Sequence, residues 1–363
     1  MCLNNSIESA ITFLLDSRNE ERIWLDFHLN GESDEWVTGY VGTILSGTAN
    51  ERAFQAAREA WDTHSSRHFL SGHGGWSFNR FSPEDADSTI WNIRFALNLG
   101  FGSKFRTEIA EKFLLRHITP DGGVTTFILE KELRKFLRAQ PADDISGWMQ
   151  THPCVTAAAA VLPFLNERLA PWLQKNQLAD GSWNAYWWTD QEYTLSLAVE
   201  ALMQNSPDRY RDSVDKAVAW ITEKLKGLPY IGNSSFPDGS PFATALALKA
   251  LIQSGKYASL HETIIGMTKW LIDCQLDDGS WKSSAILRVP PSKIRDPSGF
   301  LNWNQGKGAD YGTITMDQNS IFTTVTVLDA LRKVDAAGNY MDQIVPAALS
   351  TVKIVTERRD SYL

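Results

Sequence analysis

The stretches WLQKNQLADGSW (172–183) and WLIDCQLDDGSW (270–281) are two copies of one unit, with weaker echoes at 71–78, 116–127 and 234–242. Internal repetition constrains this chain most, because each copy must be one supersecondary unit burying its apolar face against its neighbours. In each copy a helical stretch ends in a glycine-containing turn, the expected stop. A second, more apolar helix follows each turn, often marked by threonine, at 35–45, 85–99, 152–165, 191–203, 241–252 and 321–334. Between these lie charged, amphipathic helices near 6–17, 50–68, 106–117, 166–177, 210–226 and 259–275, with a further one near 343–358. Helices apolar nearly all round belong inside, and helices with one charged face outside. The pattern predicts an all-α fold, a single (α/α)6 barrel with six inner and six or more outer helices. Strands are scarce, 23–29 being the best candidate, and residues 1–363 are read as one domain.

Composition narrows the function. A net charge of −8 argues against a nucleic-acid partner, which would call for a basic surface. Cys2, Cys154 and Cys274 form neither a disulfide framework nor a C-x-x-C pair, and point to a reducing, cytoplasmic setting. The N-terminus lacks a basic region followed by a long apolar one, and no apolar run approaches the roughly 20 residues of a spanning helix. Fourteen tryptophans suggest that something flat or positively charged is handled inside.

The stretch SPEDADSTIW (82–91) opens the second apolar helix. Capping accounts for most of it: Ser82 as N-cap, Pro83 at the first helical position, and Asp85 three residues on. Asp87 is left over. It is expected a turn into the helix, on the side of Trp91, facing the chamber on which the inner helices converge. A carboxyl at the mouth of an apolar pocket is costly without a purpose.

These residues resemble a known family. Gln177–Gly181–Trp183 and Gln275–Gly279–Trp281 look like the QW motifs of squalene-hopene and oxidosqualene cyclases. Asp85-Ala86-Asp87-Ser88-Thr89 looks like the Asp-x-Asp-Asp-Thr motif of class II terpene cyclases, whose middle aspartate protonates a terminal alkene. Ser88 stands where the family has a third acid, and the chain is about half the length of the two-barrel members. It is most similar to the small single-barrel group that cyclises prenylated aromatic acids. The resemblance implies a protonation-initiated cyclase acting on a small prenylated substrate, a farnesylated aromatic acid, and closing fused rings without redox change. It implies no cofactor, Mg2+ entering only with a diphosphate substrate. A monomer or homodimer is expected, with peripheral membrane contact open.

On this reading Asp87 is the acid and Asp85 its orienting partner, while the hydroxyls of Ser88 or Thr89 stabilise the carboxylate left behind. Desolvation and the charge of Asp85 would hold the proton on Asp87, against a helix N-terminus that favours the anion. The migrating cation needs a dry pocket lined with π faces. Trp36, Tyr40, Trp91, Trp187, Trp188, Tyr193, Phe242, Trp303, Tyr311 and Phe322 are the candidate linings, with His152 as a polar partner. Trp183 and Trp281 read as structural, their glutamines tying helix ends. The stretch 282–316 lacks helical periodicity and reads as a lid whose Arg288, Lys293, Arg295 and Lys307 meet an anionic head group. Three alternatives stand beside this: a zinc-dependent protein prenyltransferase β-subunit, a carbohydrate-active toroid, and a lipid-binding barrel.

Overall fold

The structure is a computed structural model that describes residues 2–338 except 69–72, 103, 302, 303 and 305. The helix expected near 343–358 and the candidate Trp303 therefore lie outside the described residues. In chain order the helices are α1 (Leu3–Asp16), α2 (Glu35–Ser46), α3 (Glu51–His68), α4 (Ala86–Asn98) and α5 (Phe105–Leu115). The short α6 (Glu130–Leu137) and α7 (Ser146–Met149) follow, then α8 (Pro153–Ala160), α9 (Pro163–Lys175), α10 (Glu192–Asn205), α11 (Arg211–Leu225), α12 (Pro241–Gln253) and α13 (His261–Asp273). The last described helix, α14, covers residues 321–338. Helices α2, α4, α8, α10, α12 and α14 form the inner ring, and α1, α3, α5, α9, α11 and α13 the outer one, giving the expected (α/α)6 barrel.

Side-chain pattern decides which ring a helix joins. Every residue of α2 after Glu35 is buried, as is α12 from Pro241 to Leu251. In α13 only Ile264, Met267, Thr268 and Leu271 are buried, the i, i+3, i+4, i+7 stripe of a helix with one wet face. The inner segment expected to run to residue 165 stops at Ala160, because Pro163 has no N–H to continue it and instead opens α9.

The inner ring closes where α14 meets α2. The Tyr40 hydroxyl bonds Thr326 Oγ1 at 3.0 Å, and Phe322 stacks on Tyr40 and Trp36. The repeated turns close the outer ring. Gln177 donates to Gly181 O and to Ser213 O on α11, while Gln275 donates to Gly279 O and to Ser6 O on α1. Trp183 and Trp281 are fully buried, each indole N–H donating to the carbonyl ten residues back. Among the described residues no helix is long and apolar enough to cross a membrane.

Three two-stranded antiparallel sheets decorate the end where the inner helices begin. They pair β1 (Asp26–His28) with β2 (Glu32–Ser33), β3 (Trp76–Ser77) with β4 (Glu84–Asp85), and β5 (Ile286–Val289) with β6 (Thr313–Met316). The last corrects the expectation of an irregular lid: its arms are a hairpin with Arg288 opposite Ile314. The β-branched residues Ile286, Val289, Thr313, Ile314 and Thr315 favour the pleat once the barrel end supplies a surface to cover.

Candidate active site

At the start of α4 the capping differs from expectation. Asp85, not Ser82, is the N-cap: its extended backbone ends β4, and its carboxylate accepts the Ser88 N–H and hydroxyl, both at 2.8 Å. Ser82 caps nothing; its hydroxyl turns back to Asn79. Pairing of β4 with β3 holds residues 84 and 85 extended, so the helix cannot begin earlier. Asp87 is therefore the second helical residue, in the first turn and not a turn in. Ser88 serves Asp85 and not Asp87. Thr89 points away from the acid, donating to Asp85 O at 2.6 Å and accepting the Trp76 N–H at 2.9 Å. The expectation that these hydroxyls steady the Asp87 carboxylate is corrected accordingly.

Asp87 is half-buried, and the space it borders is the cavity at this end of the barrel. Its Oδ1 has no hydrogen-bond partner, and neither has the indole N–H of Trp36. Burial pushes the carboxyl well above the usual carboxylate range, and the charge of Asp85 adds to the shift. The Trp36 indole lies close enough to temper this, though outside hydrogen-bonding geometry. Asp85 is itself raised to about 7 by burial, in spite of its bonds from Ser88, and the charge of Glu35 contributes. Glu35, at the start of α2, is raised to about 7 by burial although it accepts the Ser77 N–H and hydroxyl. Asp85 and Glu35, both raised to about 7, thus stand beside an Asp87 held well above the ordinary carboxylate range.

The cavity measures about 540 Å³. Asp85, Asp87, Ser88, Trp36 and Phe78 form one end; Phe127, Trp148, Trp187, Leu287 and Val289 line the walls; Phe136, Arg138 and Tyr311 also border it. Trp187 is oriented by donating to Thr126 Oγ1 at 2.8 Å and by an edge contact with Trp148 at 5.2 Å.

Of the expected linings, Trp36, Trp187 and Tyr311 reach the cavity. Tyr40, Trp91, Trp188, Tyr193, Phe242 and Phe322 do not: they stack on one another and plug the barrel centre, with Trp188 lying on Tyr193, Phe242 and Phe322 at 4.4, 5.1 and 5.4 Å. Inner-ring aromatics meet on the barrel axis and satisfy one another there. The face of Trp91 is taken by the protein's own Arg94, 4.5 Å from the ring. His152 is a wall support. Its Nε2–H donates to Gly147 O and its Nδ1 accepts from Thr126, and burial lowers it to about 3, so it stays neutral.

The expected cations separate. Arg288 borders the cavity, 5% exposed, and donates to Tyr186 O at 3.2 Å and to Ala185 O. Lys293 is exposed and paired with Asp310, Arg295 bonds Ser146 outside the cavity, and Lys307 is exposed and does not line it. Sequence reasoning missed Phe78, Phe127, Phe136, Trp148 and Arg138. The one available signal was EKELRKFL (130–137), whose Leu133 and Leu137 lie one turn apart on α6.

A protonated, desolvated carboxyl facing a chamber of π faces can protonate an alkene and shelter the resulting cation. No family model and no curated protein matches the chain. Among solved structures it is similar to the type II terpene cyclase MstE from Scytonema, at 35% identity and a TM-score of 0.88 over 92% of this chain and 99% of that one. The chain belongs to the type II terpene cyclases. A structure of an MstE variant with geranylgeranyl dihydroxybenzoate as substrate agrees at 36% identity and a TM-score of 0.87, covering 92% of this chain and 98% of that one. The ent-copalyl diphosphate synthase of Streptomyces platensis, at 18% identity and a TM-score of 0.51, shares the fold over 82% of this cyclase and 50% of its own length. Carbocationic cyclisation, an isomerisation, is thus the reaction class. The transferase and glycosidase alternatives fall with this assignment. Among the described residues no three His, Cys, Asp or Glu side chains are grouped as metal ligands.

Proposed function

We propose that this cyclase converts a linear prenylated aromatic acid into fused rings, with Asp87 as the general acid. One observation carries the reading: a carboxyl whose buried Oδ1 has no partner borders an aromatic cavity of about 540 Å³. That volume falls within the roughly 300–1,000 Å³ of small-molecule sites. Relatedness to an enzyme crystallised with geranylgeranyl dihydroxybenzoate supports the substrate class.

The prenyl tail enters first, its terminal alkene reaching Asp87. The alkene π pair takes the Asp87 proton and forms a new C–H bond, leaving a tertiary cation. Each following alkene closes a ring and passes the positive charge away from the acid, along Phe127, Trp148 and Trp187. Loss of one proton from the last cation restores a neutral product isomeric with the substrate. The Asp87 carboxylate is met by the Trp36 indole N–H and the N-terminus of α4, and Asp85 shares the proton that recharges it. The carboxylate of the aromatic ring pairs with Arg288, whose guanidinium donates to the Tyr186 and Ala185 carbonyls and feels the charge of Asp296 only at longer range. Protonation by Asp87 supplies the initiating step, so the reaction is proposed to need no cofactor, with the whole chain acting as one domain.

Purified enzyme is incubated with farnesyl and geranylgeranyl dihydroxybenzoate, with squalene and geranylgeranyl diphosphate in parallel. A product of unchanged mass that has lost olefinic proton signals is expected from a prenylated acid, and at an undiminished rate after exhaustive chelation. Conversion of squalene or the diphosphate alone would overturn the substrate class. Full turnover by Asp87→Asn would overturn the acid.

A further inference from the structure

Behind the wall of the catalytic cavity lies a second one of about 520 Å³, bordered by Gln150, Tyr186, Lys224, Arg288, Arg295 and Asp296. Its character is opposite to that of the first: three cationic side chains face it against one acid, with few apolar surfaces. Arg288 borders both cavities. It is 5% exposed, its visible bonds go only to main-chain carbonyls, and no carboxylate lies within ion-pair distance among the described residues. Only the more distant charges of Asp296 and Asp190 reach this buried cation, a partial compensation that points to an anion from outside the protein. Lys224 is partly neutralised by the buried Glu192, 2.5 Å away, and Asp296 is engaged by the Ser298 N–H. Asp296 offsets part of the charge of Arg288 and Asp144 part of that of Arg295, so the three cations of the lining still outnumber its one acid. Guanidinium forks match the oxygen geometry of phosphates.

We propose that this second cavity binds inorganic diphosphate and, through the shared Arg288, weakens the hold on the substrate's carboxylate. The choice of anion rests on the substrate class proposed above. Joining an allylic prenyl diphosphate to an aromatic acid forms a carbon–carbon bond, breaks the prenyl C–O bond, and transfers the displaced aryl proton to solvent, releasing diphosphate. The reaction class that supplies the substrate thus generates this anion in equal amount. Two anions drawing on one guanidinium oppose each other, and the opposition must be reciprocal.

Calorimetry on the full chain carrying Asp87→Asn, which needs no turnover, tests the site with sodium diphosphate and with sodium sulfate at matched ionic strength. Diphosphate is expected to bind well ahead of sulfate, and the further change Arg295→Glu to weaken it at least about tenfold, with Arg295→Lys retaining most of the binding. In the otherwise wild-type enzyme Arg295→Glu leaves kcat without diphosphate unchanged. Added diphosphate raises KM with little change in kcat, and does so less in Arg295→Glu. Absence of binding, equal binding of sulfate, or indifference to Arg295→Glu would overturn the site, and an unchanged KM would overturn the coupling. Because the binding arm contains no prenyl compound, a wrong substrate class would surface only in the turnover assays.

Discussion

Asp87, the proposed general acid, answers to the fold and to the proposed reaction, and the two demands conflict. Burial keeps it protonated at a pH where the unfolded chain has already released that proton. The native state then binds more protons than the unfolded one, so stability falls as pH rises from about 4 toward the raised native value. Asp87→Asn removes this loss. It is expected to lower kcat by about a thousandfold or more while raising Tm, with the Tm gap over wild type wider at pH 8 than at pH 5. A thermal melt at both pH values checks the sign. Asp85→Asn keeps a good N-cap and so the start of α4, but removes a charge that helps hold the Asp87 proton. The basic limb of its kcat–pH profile should move to lower pH; a limb that stays put would show that Asp85 does not tune the acid. The pair of acids was legible in DADST, whereas its division of labour was not. Which hydroxyl serves which carboxyl depends on β4 holding residues 84 and 85 extended, a pairing with Trp76 and Ser77 that local sequence does not announce.

Among the elements, the glycine turns carry the repeat. Gly181 and Gly279 have φ of +96° and +88°, and a Cβ on either would fall 2.3 Å from a backbone oxygen of the adjacent outer helix, Lys216 O or Ser9 O. Backbone cannot yield as a side-chain tip can. Gly279→Ala is expected to cost on the order of 3 kcal/mol in urea unfolding, more than Gly100→Ala, whose φ is also positive but whose Cβ meets nothing within 4 Å. Comparable losses would mean that the strained φ alone, and not the seat on α1, is what alanine disturbs. Helix periodicity revealed these outer and inner helices because burial on one face writes itself into one segment. The β5–β6 hairpin and α6 were not visible in this way. Their apolar residues cover a cavity assembled from distant segments, so no local period records what they face.

For the whole molecule, the end of the barrel opposite the acid is held by charge. Lys249 on α12 contacts Glu200 on α10 at 3.2 Å and Asp329 on α14 at 2.9 Å, and Arg94 on α4 contacts Glu200 at 2.9 Å. Lys249 and Arg94 lower Glu200 to about 2, although burial pushes it up. Glu200 thus adds stability above its unfolded value, lost as pH falls through about 2. Lys249→Met leaves two buried carboxylates short of a partner and should cost roughly 3–5 kcal/mol at pH 7. The deficit should narrow on acidification, as those carboxylates become free to protonate; chemical denaturation at pH 7 and pH 4 measures both. The other ends of these helices, where the cavity lies, are held by aromatic stacking and by buried hydrogen bonds such as those of Asp26 to the start of α14.

By itself the sequence determined the alternation of buried and half-buried helices and the closing turns, because period and spacing are properties of one segment at a time. Only the tertiary structure decided which aromatics see the cavity. Tyr40, Trp91, Trp188, Tyr193, Phe242 and Phe322 start at the same barrel end as Trp36, yet they fill the axis while Trp36 and Trp187 face the open space. Whether a ring becomes wall or filling depends on the volume left between helices far apart in the chain, and no segment carries that information alone.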